Sequence, residues 1–198
     1  MIPIGLYYLR MLRRLFLLLC LALPRLALAD PLLIQAVVSH PVVPELMGGC
    51  SLKCAFPWQT FALVPGKPQV PVYTLDDNDK DTSWNDAVVG AKLIFVFPKK
   101  LPQELNDTPF YGFDIADGNI NTESTFTQWG RVKKVRLFYN GHAFADIALA
   151  DTRRWQEVSF DDIMARQGDV FSMEVLEVYP GNKYPTAAIT ELILQGAH

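Results

Sequence analysis

The sequence contains few of the residues that most often build catalytic and metal sites, with three histidines and three cysteines among 198 residues. No serine or cysteine motif of a nucleophile surrounds the histidines, and no second Cys/His pair follows the cysteines at zinc-binding spacing. Glu174 and Glu177 lie on one predicted strand, where an odd separation sends side chains to opposite faces, so we do not expect them to act jointly on a glycosidic bond. The sequence therefore predicts a protein that is not an enzyme.

An excess of positive charge is also missing, because 18 basic side chains stand against 21 acidic ones. The resulting net charge of −3 argues against nucleic acid as a partner. Half of the residues are hydrophobic, yet the leucine-rich run at residues 15–23 is too short to span a bilayer and ends at Pro24 and Arg25.

The first 29 residues have the three parts of a secretory signal peptide. Three arginines precede the apolar run, and Ala27-Leu28-Ala29 follows it as the small-residue site of a signal peptidase. We expect cleavage before Asp30, a secreted or periplasmic protein, and no transmembrane segment after cleavage.

Removal of residues 1–29 would make the protein more acidic. Four arginines and no acidic residue lie in that segment, so 14 basic and 21 acidic side chains would remain, a net charge of −7. Two cysteines, Cys50 and Cys54, would also remain, and an even pair in an exported chain predicts a disulfide bond. These cysteines belong to a proline-rich N-terminal segment, residues 30–67.

Residues 68–198 have the pattern of an all-β domain with short β-branched and aromatic runs. Val135, Leu137 and Tyr139 alternate with basic residues, and Asn140-Gly141 then predicts a type I′ hairpin turn. No long amphipathic helix is predicted, although residues 161–167 could form one or two helical turns. The pattern predicts an antiparallel β-sandwich or jelly roll of about eight strands, at residues 70–74, 92–97, 110–115, 132–139, 142–149, 155–160, 170–179 and 188–194.

An acidic loop follows the first of these strands. Four aspartates lie within six residues, at positions 76, 77, 79 and 81, and they repel each other unless a cation or backbone N–H groups neutralise them. Two interpretations follow from the residues alone. The loop is either a Ca²⁺ site built from hard oxygen ligands or a solvated acidic turn.

The motif at residues 77–84, Asp-Asn-Asp-x-x-Thr-x-Trp, resembles the Asp-Gly-Asp-x-x-Thr-x-Trp loop of galactose-binding-like sandwiches, the discoidin or coagulation factor type C group. Further segments resemble one branch of that group, the NADase-type glycan-binding domain, in the same order along the chain. They lie at residues 48–54, 131–137, 140–141, 151–153, 176–184 and 189–192. The resemblance implies a jelly-roll β-sandwich that binds a glycan.

The resemblance also implies a structural Ca²⁺ ion between the acidic loop and the last strand. Its ligands would be Asp77, Asp79, Thr82 and Glu191. Asn78 replaces the usual glycine of the motif, a tolerable change because asparagine also adopts positive φ.

Sugar binding in such sandwiches is expected on the loops at one end, where an aromatic ring lies under the apolar face of the sugar. The candidates are Trp129, Tyr111, Phe113 and Asn121. The alternative for the rings is that they cap the core.

The expected partner is a glycan or another component of a cell surface or envelope. The alternative is a protein-interaction or toxin-delivery accessory domain that binds no sugar. Lys133, Lys134 and Arg136 could bind an acidic glycan, but their alternating placement favours the solvated face of one strand.

Overall fold

The computed structural model describes residues 31–41, 57–99 and 108–196, all of them in the compact unit Pro31–His198. The described residues form twelve strands and one helix, α1, at Glu123–Gln128. The strands are β1 Leu32–Gln35, β2 Val37–Pro41, β3 Gln59–Leu63, β4 Val70–Pro71, β5 Trp84–Ala87, β6 Lys92–Val96, β7 Thr108–Asp117, β8 Gly130–Tyr139, β9 His142–Ala148, β10 Arg154–Ala165, β11 Val170–Tyr179 and β12 Ala187–Gly196.

The strands fall into two antiparallel groups. One group has the order β2-β10-β7-β12, and the other has the order β9-β8-β11-β6-β3-β4. A two-residue parallel pairing between β12 and β8, Ala187 with Gly130 and Ala188 with Arg131, links the two groups. The fold is an all-β jelly-roll sandwich, as the sequence predicts.

Aromatic side chains from both groups fill the core. Phe110 and Phe113 of β7 contact Phe171 of β11, with ring centroids 4.9 and 6.5 Å apart. Phe95 of β6 packs on the same ring of Phe171 at 5.6 Å. Edge-to-face and tilted aromatic pairs of this kind add to the stabilisation by buried area, and here they join the two groups of strands.

Residues 31–41, here called the strap, pair with both groups. Strand β1 runs parallel to β9, with Leu32 opposite Ala145, and β2 runs antiparallel to β10, with Val38 opposite Gln156. Together with β3, the strap brings part of the proline-rich segment 30–67 into the sheet. Cys50 and Cys54 lie outside the described residues, so the predicted disulfide bond stays a prediction.

All eight predicted strands are present, and β11 has the predicted bounds. Strands β1, β2, β3 and β5 and helix α1 were not predicted. The expected helical turns at 161–167 are wrong, because β10 continues to Ala165. The hairpin turn is confirmed by positive φ at Asn140 (48°) and Gly141 (80°).

The prediction that Glu174 and Glu177 face opposite sides is also wrong. A register shift after Val175 places Glu174 opposite Arg136 and Glu177 opposite Lys134. Because Lys134 and Arg136 are two residues apart on one strand, both glutamates project from the same face. Glu174 forms an ion pair with Lys92 at 3.0 Å, and Glu177 forms one with Lys133 at 2.7 Å.

Among the described residues, no helix has the length and apolar character needed to cross a bilayer.

Candidate functional site

Three connections meet at one end of the sandwich, here called the loop end. They are the acidic loop and its continuation (76–83), the connection that carries α1 (118–129) and the β11–β12 turn (180–186). Asn119 Nδ2 donates to Ser83 Oγ at 3.2 Å, and the backbone N–H of Asn182 donates to Thr127 O at 3.0 Å. These bonds hold the middle connection against each of its neighbours.

Helix α1 begins with a reciprocal pair of capping bonds. The N–H of Thr125 donates to Thr122 Oγ1 at 3.0 Å, and the N–H of Thr122 donates to Thr125 Oγ1 at 2.9 Å. Phe126 is buried on the inner side. The helix ends at Gln128 because Trp129 adopts an extended conformation, with φ −88° and ψ 153°, and this turns the chain into β8.

The indole of Trp129 stacks on the phenol ring of Tyr184. Their centroids are 4.0 Å apart and the ring planes make an angle of 19°. Both side chains are half-buried, and Lys183 Nζ lies 5.0 Å from the centroid of Tyr184. The stack is an aromatic surface held by two loops, although only Trp129 was predicted to belong to a site.

Close backbone packing fixes the β11–β12 turn beneath this stack. The N–H groups of Lys183 and Tyr184 both donate to Gln128 O, at 3.1 and 3.0 Å. A Cβ atom added at Gly181 would lie 2.4 Å from Gln128 O and from the carbonyl carbon of Trp129. Only glycine fits at this position, so the position of Tyr184 depends on the absence of a side chain three residues earlier.

Arg131 joins two connections of the loop end to Asp151, which lies between β9 and β10. Its Nε and Nη2 atoms donate to the two carboxylate oxygens of Asp151 at 2.9 and 2.8 Å, a bidentate pair. Its Nη1 atom donates to Trp129 O and Pro180 O at 3.0 and 3.1 Å. The guanidinium also lies 5.2 Å from the centroid of Phe126. Arg131 therefore fixes the backbone on both sides of the aromatic stack.

Asp117 is a second buried charged group at the end of β7. Its Oδ1 accepts a bond from the N–H of Val132 at 2.9 Å, and its Oδ2 has no hydrogen-bond partner. Burial raises the pKa of Asp117 well above its usual range, an effect that backbone hydrogen bonds and the positive charge of Arg131 oppose.

Asn121 lies in the α1 connection, where its backbone carbonyl accepts a bond from Arg153 Nη2 at 3.1 Å. Arg153 Nε donates to the neighbouring carbonyl of Ile120 at 2.9 Å. The predicted residue Asn121 thus belongs to the loop end, and Arg153 orders the connection around it.

Tyr111 and Phe113 do not join Trp129. The ring of Phe113 is 0% exposed and packs in the core, because Phe113 shares a strand face with the core residue Ile115. A ring without exposed surface offers no platform for a sugar, which removes Phe113 from the site. Tyr111 is exposed, but it lies six residues before Asp117, about 20 Å along the strand at ~3.3 Å per residue.

The acidic loop brings together the four residues predicted to bind Ca²⁺. The N–H of Asp79 donates both to Asp77 Oδ1 and to Glu191 Oε1, each at 3.0 Å. Thr82 Oγ1 donates to Asp77 Oδ2 at 2.8 Å. Asn78 has a φ of 58°, the positive value that the motif requires.

Glu191 of β12 lies against this loop and has a raised pKa. Burial and the nearby carboxylates of Asp77 and Asp76 raise the pKa of Glu191 to about 8. Its Oε2 atom is buried without a hydrogen-bond partner. Such an oxygen favours either a proton or a cation beside it, so its chemistry fits a hard metal ion.

Both carboxylate oxygens of Asp77 and the Oδ1 atom of Asp79 accept hydrogen bonds from donors of the loop itself. In the described part of the chain, no three Asp, Glu, His or Cys side chains are arranged for metal binding. Ca²⁺ binding here would therefore require Asp77 and Asp79 to exchange their present hydrogen bonds for the ion.

The basic residues of β8 are paired with acids. Lys133 binds Glu177 at 2.7 Å, and Lys134 and Arg136 bind Asp146 at 3.1 and 2.7 Å. The hydrogen bond from Arg136 lowers the pKa of Asp146. This arrangement fits the interpretation in which these basic residues form the solvated face of one strand.

Tyr184, Arg131 and Arg153 were not predicted as site residues, although all three lie in segments that carry the resemblance. No spacing in the sequence indicates that the β11–β12 turn packs on α1. Gly181, which directly precedes Asn182, gives no such signal by itself.

A jelly-roll sandwich with its connections gathered at one end is the architecture of discoidin-like domains. Solved structures of the CBM32-1, CBM32-2 and M60 catalytic domains of Clostridium perfringens ZmpB match with a TM-score of 0.52 at 12% identity, over 85% of this chain and 17% of that chain. Structures of CBM32-1 and CBM32-2 match over 83% of this chain and 41% of that chain, with a TM-score of 0.52 at 12% identity. The same two domains in complex with GalNAc give a TM-score of 0.50 at 13% identity, over 83% and 40% of the two chains.

The family model of the NAD glycohydrolase translocation F5/8 type C domain matches residues 68–195. The chain belongs to this family. It spans less than half the length of each of the three solved chains above, and no curated protein matches it.

Proposed function

We propose that this protein is an exported, non-catalytic module that binds a glycan at the loop end. The observation that carries the proposal is the half-buried stack of Trp129 and Tyr184, which two separate loops hold in place. A preformed aromatic surface binds the apolar face of a sugar ring without a large loss of side-chain entropy.

The sugar complex of a structural relative supports the same class of ligand. The CBM32 domains of ZmpB have been solved in complex with GalNAc, and they share the fold of this chain. N-acetylgalactosamine and galactose are therefore the first sugars to test.

A glycan array with the full chain tests the proposal. Trp129→Ala and Tyr184→Ala should each weaken binding about tenfold, because each removes one ring of the stack. Tyr73→Ala is the matched control, since the ring of Tyr73 is 81% exposed and lies outside the stack. The proposal would be overturned if Trp129→Ala and Tyr184→Ala each bound the glycan as tightly as the unmodified chain, or if the unmodified chain bound no glycan.

A structural Ca²⁺ ion bound by Asp77, Asp79, Thr82 and Glu191 is part of the proposal. The buried, unpartnered Oε2 of Glu191 supports it. When bound, the ion would neutralise the carboxylates that face each other between the acidic loop and β12. Millimolar Ca²⁺ should then raise the Tm relative to EGTA, and an unchanged Tm would favour the solvated turn.

A second candidate function is the docking of a companion protein without sugar binding. The description of the family as a translocation domain favours it. Pull-down from periplasm or culture medium separates the candidates. A docking module retains a protein partner when Trp129 and Tyr184 are both replaced, and free sugars do not displace that partner.

A further inference from the structure

Asp117 is a buried carboxyl group at the point where β7 ends and the α1 connection begins. The residue is 1% exposed, its Oδ1 accepts the bond from Val132, and its Oδ2 has no hydrogen-bond partner among the described residues. A negative charge at this position would lack the solvation that it has in water. The neutral acid is therefore stable here, whereas the ionised form needs a positive group close to it.

Arg131 is the positive group beside Asp117. A Cβ atom added at Gly118, the next residue along the chain, would lie 2.8 Å from Arg131 Cγ, so the stem of the arginine passes directly over the backbone that follows Asp117. Burial raises the pKa of Asp117, the charge of Arg131 lowers it, and the charge of Asp151 raises it further. The two carboxyl groups thus compete for one guanidinium.

The hydrogen bonds of Arg131 favour Asp151 in this competition. Its Nε and Nη2 atoms bind Asp151, and Nη1 donates to Trp129 O and Pro180 O. The side chain of Asp151 is 40% exposed, so water can replace the arginine there, but Asp117 is closed to solvent. A negative charge on Asp117 would therefore draw the guanidinium inward and weaken its bonds to the two carbonyls.

The other elements that pack around this carboxyl group direct their charges elsewhere. Residues 188–190 of β12 are uncharged, and the carboxylate of Glu191 is turned toward the acidic loop. The acidic residue of α1, Glu123, has a side chain that is 77% exposed and lies 3.5 Å from Arg153. Within the described ranges, the Arg131–Asp151 pair therefore provides the charges that act on the buried carboxyl group.

We propose that Asp117 is a positioning residue for the aromatic surface: its neutral form leaves Arg131 bonded to the backbone on both sides of the Trp129–Tyr184 stack, and its ionised form draws Arg131 away. The proposal rests on the proposed glycan binding at the loop end for its ligand. Because burial raises the pKa of Asp117, the neutral form is present at acidic pH and the ionised form appears as the pH rises. Glycan binding should weaken in the same direction.

Two-dimensional NMR of the isotope-labelled full chain without sugar tests the positioning directly. The ¹³C signal of the Asp117 carboxyl reports its proton, and the indole N–H signal of Trp129 reports the stack, in a titration from about pH 5 to about pH 9. We expect one shared midpoint for the two signals. Glu191 has a carboxyl signal of its own, so its titration is read separately. An indole signal that does not follow Asp117, or an Asp117 signal that does not change in this range, would overturn the proposal.

Two substitutions distinguish positioning from a merely structural role. Asp117→Asn keeps an oxygen for Val132 but cannot ionise, so the Trp129 indole signal should stay at its low-pH position throughout. Asp151→Asn removes the competing charge, so the midpoint should move to lower pH. Asp86→Asn is the matched control, because Asp86 binds Lys67 at 2.9 Å outside the loop end, and it should leave the midpoint unchanged.

The proposal is contradicted if the indole signal of Asp117→Asn still titrates with the midpoint of the unmodified chain. If Asp117→Asn does not fold, Asp151→Asn decides. A midpoint that stays in place or moves to higher pH in that variant would overturn the positioning role.

Binding of N-acetylgalactosamine at both ends of the titration connects the residue to function. The Kd of the unmodified chain should rise about fivefold from low to high pH, and the Kd of Asp117→Asn should stay constant. Equal affinity at both pH values would overturn the positioning role and leave glycan binding standing. A shared NMR midpoint in a chain that binds no sugar of a glycan array would support the positioning role and overturn glycan binding.

Discussion

At the scale of single residues, Arg131 donates hydrogen bonds to Asp151 and to the backbone on both sides of the aromatic stack. Replacement by methionine keeps the length of the side chain but leaves Asp151, Trp129 O and Pro180 O without their donor. We expect Arg131→Met to lower the free energy of unfolding by about 2–4 kcal/mol. Urea denaturation measures the change.

Lys133→Met is the matched control for this substitution. Lys133 also forms an ion pair, with Glu177, but both side chains are nearly half exposed, and exposed pairs contribute little to stability, so Lys133→Met should change the free energy of unfolding far less than Arg131→Met. Equal losses in the two variants would contradict the role given to Arg131.

Glu191 predicts a dependence of stability on pH. Its pKa is raised from 4.5 to about 8 in the folded protein, so the folded state holds the proton more tightly than the unfolded state. The stability from this proton is complete below pH 4.5 and is lost as the pH rises to about 8. In EGTA, the Tm of the unmodified protein should therefore fall across this range more than that of Glu191→Gln.

Calcium should reverse this trend, because the ion binds the ionised carboxylate. The gain in Tm from Ca²⁺ should be larger at pH 8 than at pH 5, and absent in Glu191→Gln. A gain that is equal in both proteins would place any bound ion elsewhere.

At the scale of elements, the β11–β12 turn links backbone packing to the aromatic stack. Gly181→Ala forces a Cβ atom against Gln128 O and Trp129, so we expect a loss of about 2 kcal/mol or more together with weaker glycan binding. Gly141→Ala is the control, because Gly141 has a φ of 80° but no atom within 4 Å of an added Cβ. It should cost about 1 kcal/mol and leave binding unchanged.

A strand can be predicted from the sequence when its own pattern of buried and exposed residues defines it. A strand that depends on pairing with a distant segment cannot be predicted in this way. Strand β11 alternates buried and half-buried residues over Val170–Val175, and its bounds are readable from that pattern. Strand β4 has only two residues and both are exposed, so its pairing with β3 depends on tertiary context. The bulge after Val175 likewise comes from pairing with β8, and no local pattern indicates it.

The candidate site follows the same division. Trp129 was identified because a large ring ends a polar run, whereas its partner Tyr184 lies 55 positions later on another loop. Phe113 does not belong to the site, because its two-residue spacing from Ile115 places its ring on the core face of β7.

At the scale of the whole molecule, the strap covers an edge of each group of strands. A chain that lacks residues 31–41 would expose the edges of β9 and β10, and exposed edges pair with other chains. We expect this deletion to lower the urea midpoint and to produce dimers or larger species in size-exclusion chromatography with light scattering.

Replacing the strap's outward leucines tests whether its backbone or its side chains matter. Leu32 and Leu33 are 65% and 63% exposed, so their joint replacement by serine should change the unfolding free energy by no more than about 0.5 kcal/mol each. A monomeric deletion variant of unchanged stability would contradict the role of the strap.

The strap also has a consequence for the order in which the chain folds. Gln35 bonds to Ala148, 113 positions later, so the first described strand finds its partner only after most of the chain is available. High contact order of this kind slows folding, because long loops must close before the contacts that stabilise them form. If this chain passes through a narrow pore with its N-terminus first, the partner strand of β1 emerges late. The chain would therefore stay unfolded during passage and form its β-sandwich afterwards.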